Sequence, residues 1–359
     1  METKHTKKDL KQAFYAQSFL KIVGVWPIPI ESPLSLKIRN WFITFFSLFL
    51  QICIVGPCIL VVLLKEKNGK RKINLFKLLT NTLNQLFKYV ITLNRANELA
   101  IAMDEIKNDW LTATSEDRWI FAANSKIGQR VMLIVAVTVY SSGLGYRMLL
   151  PLLKGKIVLP NNVTIRLLPC PTYFTFFNEL VSPYYEMIFM LQLLAGFFSY
   201  TVLNGTVGIS LMLSLHMCSL LKILTRKMAD LTNGSITSEN IMQEKIVDIV
   251  EYQTKIKRFL GNAELITEYF CFYDIGCNMC LMCFIGYSAI LSNNLAQTCI
   301  TLSWYHFPTR KARCLILMII MSNYPVKLTA AKVVDVSLTT FTDVMKAAMG
   351  YLNMLREVI

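Results

Sequence analysis

The chain has 359 residues, 54% hydrophobic and 17% charged, with a net charge of +14 and a mean hydropathy of +0.45. Soluble domains average about 45–50% apolar and about 25% charged residues, so this composition excludes an ordinary water-soluble domain. The basic residues lie between apolar runs rather than in a patch, which points to membrane topology and away from a nucleic-acid partner.

The first 40 residues are polar and basic, and no stretch among them reads as a signal peptide. Trp26-Pro27-Ile28-Pro29-Ile30 and Ser32-Pro33 break the chain there, and Trp26 and Trp41 suit a water–lipid interface. Crossing a bilayer takes about 20 mostly apolar residues. Trp41 to Leu64 meets this with 24 residues and no charge. Ile73 to Leu93 is a weaker span carrying Lys77 and Lys88, and Ile127 to Leu150 carries only Arg130 and Arg147 near its ends. Tyr184 to Leu221 holds Glu186 and His216, Leu265 to Leu291 holds Glu268 and Asp274, and Val333 to Leu355 holds Asp335, Asp343 and Lys346. The expectation is an all-α polytopic bundle of about six full spans in a lipid bilayer.

The segments between spans fix the orientation. Eighteen Lys and Arg residues fall on the N-terminal side and on alternate connections, against eight on the others, which predicts a cytoplasmic N-terminus. Asn94 to Lys126 reads as a cytoplasmic helical extension. Pro151 to Pro183, with five prolines, reads as an ordered outside loop containing the glycosylation sequon Asn162-Val163-Thr164. Met217 to Ala263 reads as a long cytoplasmic segment with a turn at Asn233-Gly234. After that turn Ile241, Ile246, Ile249, Val250, Ile256 and Phe259 keep helical spacing, so the helix should run on into the span at Leu265 as one rod.

No catalytic signature is present: no H-E-x-x-H, phosphate loop, nucleophile elbow or dinucleotide glycine pattern, and only three histidines, far apart. The chain therefore reads as a non-enzyme without cofactors. Cys277, Cys280 and Cys283 have metal-like spacing, but cysteine is a common small apolar residue of membrane helices, no partner pair lies nearby, and no metal is expected. The cysteines sit in or beside apolar runs, apart from Cys170, so no disulfide framework is expected. The last span is the most polar, and its Lys346, Asn353 and Glu357 make it a candidate wall of a water-lined pathway, with interhelical packing as the competing explanation.

Trp304-Tyr305, Pro308, Arg313, Ser322-Asn323-Tyr324-Pro325 and Leu328-Thr329-Ala330, followed by Ser337-Leu338, Phe341, Lys346 and Tyr351-Leu352-Asn353-Met354-Leu355-Arg356, resemble the tail of the insect odorant receptor family. Val23-Gly24-Val25-Trp26-Pro27 resembles its opening. The resemblance implies a seven-span subunit with an external C-terminus in the plasma membrane of sensory neurons. It implies assembly with a shared co-receptor as a hetero-tetrameric cation channel, opened by small volatile apolar odorants. It implies that Met354 forms the gate, with Glu357 beside it favouring cations, and that Asn353 and Lys346 face the pore. It implies an anchor of cytoplasmic helices around Trp304, Tyr305, Arg313 and Pro325. The pocket it implies lies in the outer half of the bundle, where Phe87, Tyr140, Met148, Tyr185 and Phe189 are candidates. Tyr185 and Phe189 are i,i+4 neighbours and share a face.

One membrane domain is expected: a cytoplasmic segment at 1–40, four spans at 41–215, a cytoplasmic helical segment at 216–263, a shortened fifth and sixth span region at 264–303, a cytoplasmic anchor at 304–330 and the pore-lining span at 331–359. The shortening matters. Leu265 to Ser303 is 39 residues, short of the roughly 40 that two crossings need before any turn. The region is either two short helices or the mark of an incomplete receptor. A gustatory-type channel and a G-protein-coupled receptor are the alternatives; the gustatory terminal signature is not seen, and the D-R-Y and N-P-x-x-Y patterns are missing.

Overall fold

Apolar helices dominate the computed structural model, which describes residues 13–27, 32–65, 69–158, 164–166, 168–173, 181–233 and 239–301, with short stretches at 329–330, 334–335, 342–343, 346 and 350. A short helix α1 (Gln17–Ile22) precedes α2 (Leu34–Leu60), which ends in a π-helical turn at Val61–Lys65. Then follow α3 (Gly69–Asn94), α4 (Ala96–Thr112), α5 (Ser115–Lys154), α6 (Tyr184–Asn233) and α7 (Glu239–Thr301). Between α5 and α6, β1 (Lys156–Val158) and β2 (Thr164–Arg166) pair antiparallel, with Ile157 opposite Ile165. The fold is the expected all-helical membrane bundle, decorated by two minimal hairpins.

The elements differ from the sequence reading in three places. The Asn94 to Lys126 extension is two helices, because Ala113 is extended and Thr114 caps α5 by accepting from the Asp117 N–H. Pro151 belongs to the last turn of α5 rather than to the loop. Further along, β3 (Thr329–Ala330) and β4 (Val334–Asp335) pair antiparallel. Finally, 264–303 is not two short helices: α7 is unbroken from Glu239 to Thr301. The expected rod after the Asn233-Gly234 turn is present as its first half.

By length and composition, three described helices can cross a membrane: Leu34–Leu64, Ser115–Leu149 and Tyr184–Asp230. Their outward faces carry apolar stripes. On α2, Leu34, Ile38, Trp41, Phe42, Phe45, Phe49 and Ile52 are all exposed at helical spacing, and on α5 so are Leu133, Ile134 and Val137. Such stripes would be a liability in water, but hydrocarbon accepts them without cost.

The chain divides into two units, Met1–Asp274 and Ile275–Ile359. Within the first, α6 is the central helix and packs on α1, α2, α3 and α5. Its main core joins Leu99, Ile106, Trp110, Phe121, Ile209, Leu213, Leu220, Phe259 and Ile266 to the N-terminal Ala16, Leu20 and Val23. Gly24 turns the segment before α2 with φ +73°, and a Cβ there would meet Thr44 Oγ1 at 2.6 Å. Asn40 Nδ2 (2.8 Å) and Thr44 Oγ1 (3.0 Å) donate to the Gly24 carbonyl, and Tyr89 Oη donates to the Val23 carbonyl at 2.6 Å. The opening motif is thus a buried docking turn.

Candidate functional site

The seam between the C-terminal half of α5 and the N-terminal half of α6 gathers aromatic, hydroxyl and cationic side chains beside the β1–β2 connection. Thr201 Oγ1 donates its one proton to the Phe197 carbonyl at 2.7 Å, so Tyr140 Oη, 2.8 Å away, is the donor to Thr201. The Tyr140 ring also stacks on Phe197, with centroids 5.6 Å apart. One turn further along α5, Gly143 faces Tyr200 so closely that a Cβ would lie 2.4 Å from the ring. Another turn on is Arg147, buried although it lies within a span.

Arg147 has no carboxylate facing it among the described residues. Its charge is met by dipoles instead: Nε donates to Tyr200 Oη at 3.1 Å, Nη1 donates to the Gln192 carbonyl at 3.0 Å, and the guanidinium carbon lies 5.6 Å from the Tyr200 ring centroid. Gly196 makes room, since a Cβ there would meet Arg147 Nε at 2.8 Å. The Gln192 side chain then grips the loop: Oε1 accepts from the Cys170 N–H at 3.0 Å and Nε2 donates to the Cys170 carbonyl at 2.8 Å. Burial pushes the Cys170 thiol up, against the opposing pull of Arg147. Loop, α5 and α6 are therefore one polar clasp around an aromatic seam.

The five pocket candidates do not converge on one cluster. Tyr140 belongs to this seam. Tyr185 and Phe189 stack on each other at 5.9 Å, as their shared face predicts, and pack with Leu168 and Ile188 while Arg166 covers Tyr185. Phe87 stacks on Tyr273 of α7 at 5.1 Å, and Met148 is exposed on α5. Sequence reasoning missed Arg147, Gln192, Thr201 and Tyr200. A cation within an apolar run was the visible signal for Arg147; its partners lie 45 or more residues away. Met354, Glu357, Asn353, Trp304, Tyr305, Arg313, Pro325 and Asn162 lie outside the described residues. Lys346 is described at an exposed helical position.

Two further polar groups tie the helices together. Lys88 Nζ on α3, fully buried, lies 2.5 Å from Asp274 Oδ1 on α7, which also accepts from Asn84 Nδ2 at 3.3 Å. Two charges that each looked costly in a span are each other's partners. Arg95 continues the ladder to Glu268 at 3.6 Å. At the far end of the bundle from the loop, Asp109 of α4 is met by His216 Nε2 of α6 at 3.0 Å and by Lys255 Nζ of α7. Burial opposes the Asp109 charge, but the hydrogen bonds and charges of His216 and Lys255 outweigh it and hold the carboxyl below its usual range. Phe121 stacks on His216, with ring centroids 5.1 Å apart.

Long helices with apolar outward stripes, and with their charges paired inward, define a polytopic helical membrane protein. The family model for 7tm odorant receptors matches residues 73–303, and the chain belongs to that family. It is 24% identical over 155 residues to odorant receptor 30a of Drosophila melanogaster, across 42% of this chain and 40% of that protein's length. Its fold is similar to that of the olfactory receptor OR5 of Machilis hrabei, with a TM-score of 0.61 at 15% identity over 99% of both chains. The structure of that receptor in complex with eugenol superimposes with a TM-score of 0.62 at 16% identity.

Proposed function

We propose that this chain is an odorant-specific subunit of a ligand-gated, non-selective cation channel, assembled with the shared co-receptor as a hetero-tetramer in the plasma membrane of sensory neurons. The observation that carries this reading is the family match across 73–303, which contains the whole α5–α6 seam. On the positive-inside orientation the seam lies in the outer half of the bundle. A volatile apolar ligand would lie against Tyr140 and Phe197, with the Tyr140 oxygen accepting from it, and the Tyr185–Phe189 pair is a separate candidate contact. The relative seen with eugenol supports a small aromatic ligand of this kind. Phe87 and Met148 are the outer candidates.

The pore is assigned to the C-terminal segment. Met354 forms an apolar ring that gates by dewetting, Glu357 favours cations, and Asn353 and Lys346 face the water path. Trp304, Tyr305, Arg313 and Pro325 anchor the assembly. Asn162, in the link between β1 and β2, carries the glycan on the outer side.

Co-expression with the co-receptor in oocytes, followed by recording of odorant-evoked cation current, tests the assignment. A current that is abolished by substitution of Met354 with a bulky charged residue supports it. Surface-expressed protein without current across a broad odorant panel overturns it. The unbroken α7 favours a second reading, a receptor lacking one crossing that reaches the surface but does not gate, and the same recording separates the two.

A further inference from the structure

We infer that the Tyr200 hydroxyl on α6 is the hydrogen-bond donor by which the α5–α6 seam selects aldehydes, ketones and esters over hydrocarbons of the same shape. That selection rests on the seam being the odorant site, as proposed above. Tyr140, Gly143 and Arg147 follow at i, i+3 and i+7 on one face of α5. The Tyr200 ring lies on that face at Gly143, where a Cβ would meet its hydroxyl-bearing carbon at 2.4 Å. The ring is pressed against bare backbone, so α5 places its hydroxyl. The oxygen accepts from Arg147 Nε at 3.1 Å. A phenol has one proton to give, and among the described residues no acceptor takes that of Tyr200. Tyr140 is the opposite case, its proton being committed to Thr201 Oγ1. Both tyrosines are half-buried, whereas Thr201, Gln192 and Arg147 are buried. A ligand therefore meets one donor, Tyr200, and one acceptor, Tyr140.

Arg147 sets the strength of the donor. Accepting from a cation polarises the Tyr200 O–H, and hydrogen bonds in a chain strengthen one another where the dielectric is low. No carboxylate faces the guanidinium among the described residues, so its field also favours the negative end of a carbonyl dipole. Its Nε and Nη1 are spent on Tyr200 and the Gln192 carbonyl, which makes the neutral hydroxyl the group a ligand meets. A carboxylate would have to shed its hydration to enter, at a cost far above that of a ketone. Depth adds to the effect. Gly143 lies about 10 Å along α5 from Leu150, the outer end of the apolar run. An O–H at that depth has no water to satisfy it, so an arriving acceptor gains more than it would in solution.

The test uses the full chain co-expressed with the co-receptor and a panel of isosteric pairs in which C=O replaces C=CH2, acetophenone against α-methylstyrene among them. The half-maximal concentration for evoked current is read for each member, and surface protein is measured by biotinylation. In the unsubstituted chain the carbonyl member of each active pair is expected to act at about ten-fold lower concentration, the worth of one polarised hydrogen bond. Tyr200→Phe removes only the oxygen and should bring the two members together, with the alkene response unchanged. If that variant does not reach the surface, the carbonyl stretch of isotope-labelled acetophenone bound to the unsubstituted chain in nanodiscs carries the test, and should fall below its value in dry alkane. A preference that survives Tyr200→Phe, equal action of both members on the unsubstituted chain, or an unshifted stretch overturns the donor role of Tyr200 and leaves the channel reading standing. Surface protein that passes no current to any pair overturns both.

Discussion

Asp109 shows how a single residue can hold three helices. It sits on α4, and its two partners come from α6 and α7. Removing one member of a buried charged group leaves the others uncompensated, so Asp109→Asn is expected to cost about 3 kcal/mol, measured as a lower melting temperature in detergent. The sign of its pH dependence follows from its lowered pKa. The folded carboxyl stays charged below the ordinary value of 3.8, so the stability it contributes is complete at neutral pH. That stability is lost as pH falls from about 4 through the folded pKa. Melting temperature should therefore drop below pH 4 in the parent protein and show a flatter acid limb in Asp109→Asn. The sequence displayed both Asp109 and His216, but nothing in their 107-residue separation says that they touch.

Between elements, the decisive features are close approach and charge pairing. α5 and α6 meet where Gly143 faces Tyr200, while Gly145, two residues on, has nothing within 4 Å. Gly143→Ala must push Tyr200 off its bond to Arg147 and is expected to destabilise by about 1–3 kcal/mol. Gly145→Ala should be neutral or slightly stabilising, by up to about 1 kcal/mol, because it only restricts the unfolded chain. Thermal melting of the two variants side by side checks this, and equal effects would contradict the packing of α5 on α6. The α3–α7 ladder makes an asymmetric prediction. Asp274→Asn strands the fully buried Lys88, whereas Lys88→Met leaves a carboxylate that is already partly exposed. Asp274→Asn should therefore be the worse variant by about 2 kcal/mol, and the double variant should recover most of the loss. Surface yield and melting temperature are the readouts. The sequence shows these helices through their periodicity, and it shows the i,i+4 pairing of Tyr185 with Phe189. It does not show which faces meet, because apolar residues serve lipid and protein contacts equally well in a membrane.

At the scale of the whole molecule, the number of crossings decides the reading. Among the described residues three helices are long and apolar enough to cross a membrane, and α7 runs unbroken from Glu239 to Thr301. If the chain lacks one crossing, a C-terminal epitope tag should be reached by antibody only after permeabilisation; labelling of intact cells would support the seven crossings that the family resemblance implies. The sequence by itself determined the solvent, since only a bilayer accepts such stripes of Leu, Ile and Phe, and it determined the helical class, the rod after Asn233-Gly234 and the family resemblance. Those follow from composition and short-range spacing, which are local properties. Only the tertiary structure decided that Lys88 answers Asp274, that Arg147 rests on Tyr200 and the Gln192 carbonyl, and that the opening Gly24 turn docks on α2 and α3. Buried polar groups must find partners wherever the fold delivers them, and the fold delivers them from helices that are remote in sequence.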